Sequence, residues 1–203
     1  MGNDFKVENC LFKTAADLRK PYTDSEWQVM NRRRNFWKYW QLMSQTSMDL
    51  NDSKTQCYWA NNHQNYGCTC CGEYTGLVRF SYQGEVTEVG EGWYGDHTEF
   101  WWSLICDLEK FIKNGETQEE GDIYYMGLIS PHTNPDLVSF TVSVFEEGEE
   151  KIKEMAVDKV HFYQAILQGA ESAYKFFKVS FVDYPQEMER ISEIRAILKE
   201  KSL

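Results

Sequence analysis

The chain has 203 residues, of which 32 are acidic and 21 basic, so that its formal net charge is -11, and aromatic side chains make up 15% of it. Acidic disordered tails lack aromatic residues, so this composition predicts a folded chain with a buried core and a negatively charged surface. The charge disfavours nucleic acid and anionic lipid as partners. No apolar run reaches membrane-spanning length and the N-terminus lacks a secretory-signal pattern, so we expect a cytoplasmic protein with no membrane partner.

Residues 1–20 have no pattern that predicts a helix or a strand. The first pattern that predicts a helix follows them. Thr23 and Glu26 have the spacing of a capping box, in which each side chain bonds the backbone amide of the other residue. The aromatic and Met residues that follow recur at helical spacing and predict a helix over 24–47 that lies across the core. Residues 48–73 are polar and rich in Asn, Gln and Ser, which predicts a long loop.

A hairpin is predicted over residues 77–89, where apolar and polar residues alternate on both sides of Gln83 and Gly84. A two-residue turn at that point places Arg79 opposite Glu88. Pattern, turn and charge therefore agree on one strand register.

The second half of the chain alternates helix and strand signals. Asp96 and Glu99 form a second possible capping box, which predicts a helix over 96–114. Two strands are predicted over 123–129 and 137–145, because apolar side chains recur at every second position.

The sequence pattern of the C-terminal third predicts an edge strand over 151–157. It also predicts a helix over 158–182 that Asp158 caps, and a final helix over 185–200 that begins at a proline. No composition shift marks a domain boundary. We therefore expect a single α+β domain over residues 1–203, in which one antiparallel sheet packs against several helices.

Four cysteines in the predicted loop are the sharpest local cluster. Cys57, Cys68, Cys70 and Cys71, with His63 between them, offer enough thiolate and imidazole ligands for a tetrahedral zinc ion. The spacing does not match a standard zinc finger. The alternatives are reduced cysteines that pack as small apolar side chains, which require no cofactor, and a redox or disulfide role.

No catalytic motif is present, and we predict that the protein is not an enzyme. An alternative is a small enzyme with a carboxylate and a histidine in a cleft between the sheet and the aromatic helices. The candidate carboxylates are Glu99 and Asp107, or Glu91 and Asp96, and the histidines available are His63, His97, His132 and His161.

A glycine-rich segment between the hairpin and the next helix carries two large aromatic side chains, which can anchor a protein interface or cover the end of the core. Carboxylates in turns and linkers add a negative surface if they converge, and such a surface attracts a basic partner. The predicted partner-binding residues are Trp93, Tyr94, Glu91, Asp96, Glu146, Glu147, Glu149 and Glu150.

Two stretches, Gly67-Cys-Thr-Cys-Cys-Gly-Glu73 and Val160-His-Phe-Tyr-Gln-Ala-Ile-Leu167, resemble features of small bacterial proteins, some of which are immunity partners of polymorphic or contact-dependent toxins. The resemblance implies a cytoplasmic protein that neutralises a toxin by binding it, and it transfers no functional residues. Toxins that attack nucleic acid are often basic, which suits an acidic binder. We therefore predict a non-enzymatic immunity or inhibitor protein for a basic toxin domain. The alternative is a domain with a zinc- or cysteine-clipped loop and a regulatory interaction role.

Overall fold

The computed structural model describes residues 5–30, 36–62, 76–90, 97–115, 127–146, 149–177 and 184–201. The protein has the predicted α+β fold with antiparallel sheets. The described strands are β1 (Lys6–Leu11), β2 (Met48–Asp49), β3 (Gly76–Tyr82), β4 (Glu85–Gly90), β5 (Gly127–Pro131), β6 (Leu137–Glu146) and β7 (Glu149–Asp158). The described helices are α1 (Ala15–Arg19), α2 (Asp24–Met30), α3 (Phe36–Gln45), α4 (Ser53–Asn62), α5 (His97–Asn114), α6 (Lys159–Phe177) and α7 (Pro185–Glu200).

The first sheet has the strand order β2-β1-β3-β4, and each neighbouring pair is antiparallel. It confirms the predicted hairpin, because β3 and β4 pair with Arg79 opposite Glu88. Gln83 and Gly84 have φ values of 54° and 88°, as a tight two-residue hairpin turn requires. Nε of Arg79 lies 2.8 Å from Oε1 of Glu88, so the two charges form an ion pair.

The prediction of a single sheet is wrong, because β5, β6 and β7 form a separate three-stranded sheet. In the first sheet, β1 comes from a segment with no predicted element and pairs with the side of β3 that β4 leaves free. The two sheets meet through aromatic rings, with Phe80 and Phe140 centroids 5.1 Å apart. The hydroxyl of Tyr82 also donates to the carbonyl of Ala156 on β7 at 2.6 Å.

The predicted helices of the second half are confirmed as α5, α6 and α7, except that residues 178–182 of the predicted helix over 158–182 lie outside the described residues. Gly115 follows α5 with a φ of 69°, the left-handed conformation that ends many helices. Oδ1 of Asp158 accepts from the amide of His161 at 3.0 Å, which is the predicted cap of α6. None of the described helices is both long and apolar enough to span a membrane. The apolar stripes of α6 and α7 are buried: Phe162, Ile166, Ala170, Ala173, Phe176, Phe177, Ile191, Ile194 and Leu198.

The predicted continuous helix over 24–47 contains α2 and α3, and residues 31–35 between them lie outside the described residues. Its capping box is confirmed, since the amide of Thr23 donates to Oε2 of Glu26 at 2.8 Å and the amide of Glu26 donates to Oγ1 of Thr23 at 3.4 Å. On α3, the buried Trp40 packs edge-on against Phe12 with ring centroids 5.5 Å apart.

The predicted loop over 48–73 is wrong for its first part, which forms β2 and α4, and residues 63–73 lie outside the described residues. Polar composition misled the prediction because α4 buries only Thr55 and Trp59. The Trp59 ring lies 5.8 Å from Phe176 and 5.7 Å from Phe177 on α6. These two ring contacts help to hold an otherwise polar helix against the core.

β1 connects the layers on both of its faces. Cys10 packs with Trp40 of α3 on one face, whereas Val7 and Asn9 face α6 on the other. The approach of α6 requires a glycine at position 169, because a Cβ atom there would lie 2.9 Å from Cγ1 of Val7 and 2.6 Å from Cη2 of Trp101.

Candidate functional site: a groove between β1 and α6

Two adjoining cavities lie along α6. One, of about 280 Å³, lies against Phe5–Asn9 of β1, and the other, of about 520 Å³, lies between α4 and α6. Asn51, Gln168 and Ser172 line both cavities, so the two form one continuous depression. We call it the α6 groove.

Neutral hydrogen-bonding side chains line the middle of the α6 groove. Oγ of Ser172 donates to Oδ1 of Asn51 at 3.1 Å, which links α6 to the turn before α4. Gln168 is exposed beside them, and Gln56 lines the larger cavity. Amide and hydroxyl groups of this kind bond both the donors and the acceptors of another polypeptide.

The charged groups at the rim of the groove are balanced. Glu171 accepts hydrogen bonds from Lys175 and Arg195, which lower the pKa of its carboxyl. At the opposite end, the exposed side chains of Lys6 and Glu8 carry opposite charges. The groove is therefore suited to recognition by hydrogen bonds and shape and not by strong charge.

A buried polar network supports the groove from below and is centred on Asn9. Its Nδ2 donates to the carbonyl of Gly169 at 2.8 Å, and its Oδ1 accepts from Nε1 of Trp101 at 2.8 Å. Nε2 of His97 lies 3.1 Å from the same oxygen and must donate to it. Burial lowers the pKa of His97 to about 3, so the ring is neutral.

The described histidines are held in structural contacts: the buried His97 belongs to the Asn9 network, and the other two lie outside the groove lining. Nδ1 of His132 accepts from the amide of Asn134 at 3.0 Å. Nδ1 of His161 lies 2.9 Å from Oδ1 of Asp158 at the exposed start of α6. His63 lies outside the described residues.

The two thiols that the structure places near arginines are poor nucleophiles. Burial raises the pKa of Cys10 to about 11, although the nearby Arg79 acts in the opposite direction. Burial also raises the pKa of Cys106, whose sulfur accepts from Nη1 of Arg190 at 3.2 Å. Nucleophilic catalysis depends on the thiolate, which both sites disfavour.

The structure describes one of the four cysteines of the predicted metal site. Cys57 is an exposed free thiol on α4, whereas Cys68, Cys70 and Cys71 lie outside the described residues. Within the described part of the chain, no three His, Cys, Asp or Glu side chains are grouped as metal ligands are.

Of the predicted partner-binding residues, Glu149 is exposed at the start of β7 and its backbone pairs with Glu146 at the end of β6. For Glu146 and Glu150 the described part is the backbone. The other five predicted residues lie outside the described part of the chain: Glu91, Trp93, Tyr94, Asp96 and Glu147.

Many described carboxylates are paired with bases, so the described surface has mixed charge. Glu109 bonds Lys113 and Arg190, and Glu88 bonds Arg79. By sequence, the segments 91–96 and 116–126, which flank α5, contain six carboxylates and no Lys or Arg. These two segments therefore carry a formal charge of -6 out of the -11 of the chain.

The groove was not predicted from the sequence, because its residues are individually ordinary. Asn51 and Gln168 are common in loops and on helix surfaces, and Asn9 lies in a segment with no predicted element. One available signal was the alternation of Val7, Asn9 and Leu11, which is the pattern of a strand with one buried face.

No protein-family model, no curated protein and no solved structure matches this chain.

Proposed function

We propose that this protein is a non-enzymatic binding protein whose partner is a basic protein. The observation that carries the proposal is the α6 groove, which combines a substantial cavity with the hydrogen-bonding side chains of Asn51, Gln168 and Ser172. The described histidines and buried thiols lie in other contacts, which favours binding over catalysis. The net charge of -11 would attract a basic partner over long range, and the groove would hold it at short range.

The more specific form of the proposal is that the partner is a toxin domain which this protein neutralises. It rests on the resemblance of residues 67–73 and 160–167 to immunity proteins. The second stretch lies in α6, where its apolar side chains Phe162, Ile166 and Leu167 belong to the core. An inhibitor needs a stable body and a complementary surface, and a basic toxin that acts on nucleic acid would be displaced from phosphate by an acidic binder.

The experiment that tests the proposal is affinity capture from cells that express the protein, followed by identification of the proteins retained. The wild type is compared with a Gln168→Arg/Ser172→Arg variant, which fills the groove, and with Gln164→Arg, which places the same side chain on an exposed part of α6 outside the groove lining.

We expect the wild type and Gln164→Arg to retain a basic protein at low salt and to lose it as salt is raised. The groove variant should retain about tenfold less, which corresponds to roughly 1.4 kcal/mol of binding free energy. Equal retention by the wild type and both variants, or recovery of no basic protein, would contradict the proposal.

A further inference from the structure

β1 is paired unequally on its two sides. On one side all six of its residues pair with β3, from Lys6 opposite Ser81 to Leu11 opposite Gly76. On the other side only Cys10 and Leu11 pair with β2. One further hydrogen bond, from the amide of Leu50 to the carbonyl of Asn9 at 2.9 Å, extends this short contact.

The chain leaves the edge of β1 because a local turn diverts it after β2. Oδ1 of Asp49 accepts from the amide of Asn51 at 2.9 Å, and the carbonyl of Asp49 accepts from the amide of Asp52 at 3.1 Å. Oδ1 of Asp52 then accepts from the amide of Lys54 at 2.8 Å and starts α4. The first half of β1 therefore has no neighbouring strand on this side among the described residues.

The orientation of the open backbone groups follows from strand geometry. The amide and carbonyl of one residue in a strand point to the same side, and those of the next residue point to the opposite side. Since the carbonyl of Asn9 points toward β2, both backbone groups of Val7 point to that side too. Those of Lys6 and Glu8 point to β3. The open donor and acceptor of Val7 thus face the smaller cavity of the α6 groove.

We propose that the α6 groove takes an extended segment of the partner, which adds to β1 as an antiparallel strand in line with β2. The residue of this guest strand opposite Val7 exchanges two backbone hydrogen bonds with it. This inference rests on the proposed function and specifies how the partner is held. Strand addition at a free sheet edge is a general mode of peptide recognition, in which backbone bonds supply affinity and side-chain positions supply specificity.

The side chains beside the open edge define the chemistry of the guest. In an antiparallel pair, residues directly opposite each other project on the same face. A guest residue opposite Glu8 is therefore expected to be basic, and one opposite Lys6 to be acidic. The residue between them faces α6 at Gly169 and Ser172 and is expected to be small or polar. The guest strand runs in the same direction as β2. From its N-terminus it therefore has a basic residue, then a small or polar residue, then an acidic residue.

The larger cavity extends the site beyond the strand. Asn51 and Ser172 line both cavities, so residues that precede the basic position in the guest enter the space between α4 and α6. Leu50 and Phe176 line that space and offer apolar contact. The charged side chains of Lys6 and Glu8 meanwhile disfavour uncontrolled pairing of the edge with unrelated strands.

The probe for this site is the peptide acetyl-Thr-Arg-Ser-Glu-Thr-amide, and its matched control carries an N-methyl group on the Ser nitrogen. The N-methyl group removes the donor to the Val7 carbonyl and leaves every side chain in place. The measurement is amide hydrogen exchange of the whole chain by NMR. At a peptide concentration ten times its Kd, we expect exchange at Val7 to slow by about tenfold.

The amide of Glu8, which faces β3, should exchange at an unchanged rate, and the N-methyl peptide should leave Val7 unprotected. Gln168→Arg should abolish the protection, whereas Gln164→Arg should preserve it. If the saturating peptide fails to protect Val7, or if both peptides protect it equally, strand addition at β1 is wrong.

The same peptides added to the affinity capture separate the two proposals. Release of a basic partner by the peptide, but not by its N-methyl form, supports both. A partner that neither peptide releases, together with an unprotected Val7, overturns strand addition and leaves the binding function standing. Protection of Val7 with no basic partner captured supports the edge site and overturns the proposed function.

Discussion

Nε1 of Trp101 on α5 donates a hydrogen bond of 2.8 Å to Oδ1 of Asn9 on β1, and both residues are buried. His97 donates to the same oxygen, and the amide of the Asn9 side chain donates to the Gly169 carbonyl on α6. One side chain of β1 therefore holds two helices at fixed positions. The α6 groove, which is formed between β1 and α6, depends on this arrangement.

We expect Asn9→Leu to lower the free energy of unfolding by about 3–5 kcal/mol. The substitution keeps the volume similar but leaves the buried donors of Trp101 and His97 without a partner, each at a cost of about 1–3 kcal/mol, and removes the side-chain bond to the Gly169 carbonyl. Urea unfolding at pH 7 measures the change. The control is Asn61→Leu on the exposed face of α4, which should change stability by less than about 0.5 kcal/mol.

The neutral His97 predicts a loss of stability in acid. Its pKa is about 3 in the folded chain against about 6.5 when unfolded, so the unfolded state binds the extra proton first. The stabilisation is complete above pH 6.5 and is lost as the pH falls toward 3. Between pH 7 and pH 5 the contribution of this residue should fall by about 2 kcal/mol.

His97→Gln isolates that contribution, because the Gln amide can still donate to Asn9 but does not titrate. The measurement is urea unfolding of both proteins at pH 7, 6 and 5. We expect the stability difference between wild type and variant to shrink in acid. A difference that stays constant over this range would show that His97 does not titrate on unfolding as predicted.

We expect Gly169→Ala to destabilise the protein by about 1–3 kcal/mol, although alanine is the better helix former by about 1 kcal/mol. The added methyl group would meet the Trp101 ring at 2.6 Å and Val7 at 2.9 Å. Thermal or urea unfolding measures the effect. Gln164→Ala, on the exposed side of the same helix, is the control and should be neutral or slightly stabilising.

Cysteine alkylation should separate the described thiols by burial. At pH 8 a thiol with a pKa of about 11 is only about one-thousandth thiolate, and Cys10 is also 1% exposed. Cys57 is exposed on α4. A short iodoacetamide pulse followed by peptide mass spectrometry should show Cys57 modified at least about a hundredfold faster than Cys10, and the difference should vanish in denaturant.

The zinc alternative is tested by metal analysis of protein purified under reducing conditions without a chelator. We expect less than a tenth of an equivalent of zinc per chain, roughly the level of adventitious binding. About one equivalent, lost in a Cys57→Ser variant, would instead establish a cysteine-held zinc. The matched control is Cys106→Ser, since Cys106 lies on α5 beside Arg190.

Local chemistry made part of the fold predictable from the sequence. The Gln83-Gly84 turn set the hairpin register, and Asp158 and Pro185 marked where α6 and α7 begin. Each signal depends on residues a few positions apart, so no tertiary contact was needed to interpret it.

The remaining features depend on long-range contacts that no local pattern contains. α4 is polar and forms because Trp59 reaches the rings of Phe176 and Phe177 on α6. The groove likewise depends on Asn51 meeting Ser172, which is 121 residues away in the chain. Sequence patterns identify which faces are apolar, but they do not identify which surfaces meet.

The bond from Tyr82 to the Ala156 carbonyl fixes the alignment of the two sheets. Aromatic rings such as Phe80 and Phe140 tolerate small lateral shifts, because apolar contact has little directional preference. A directed phenol-to-carbonyl bond does not tolerate such shifts. A displacement of one sheet is therefore expected to displace the other sheet with it. When force or heat displaces one sheet, we therefore expect the second sheet to move before the two sheets separate.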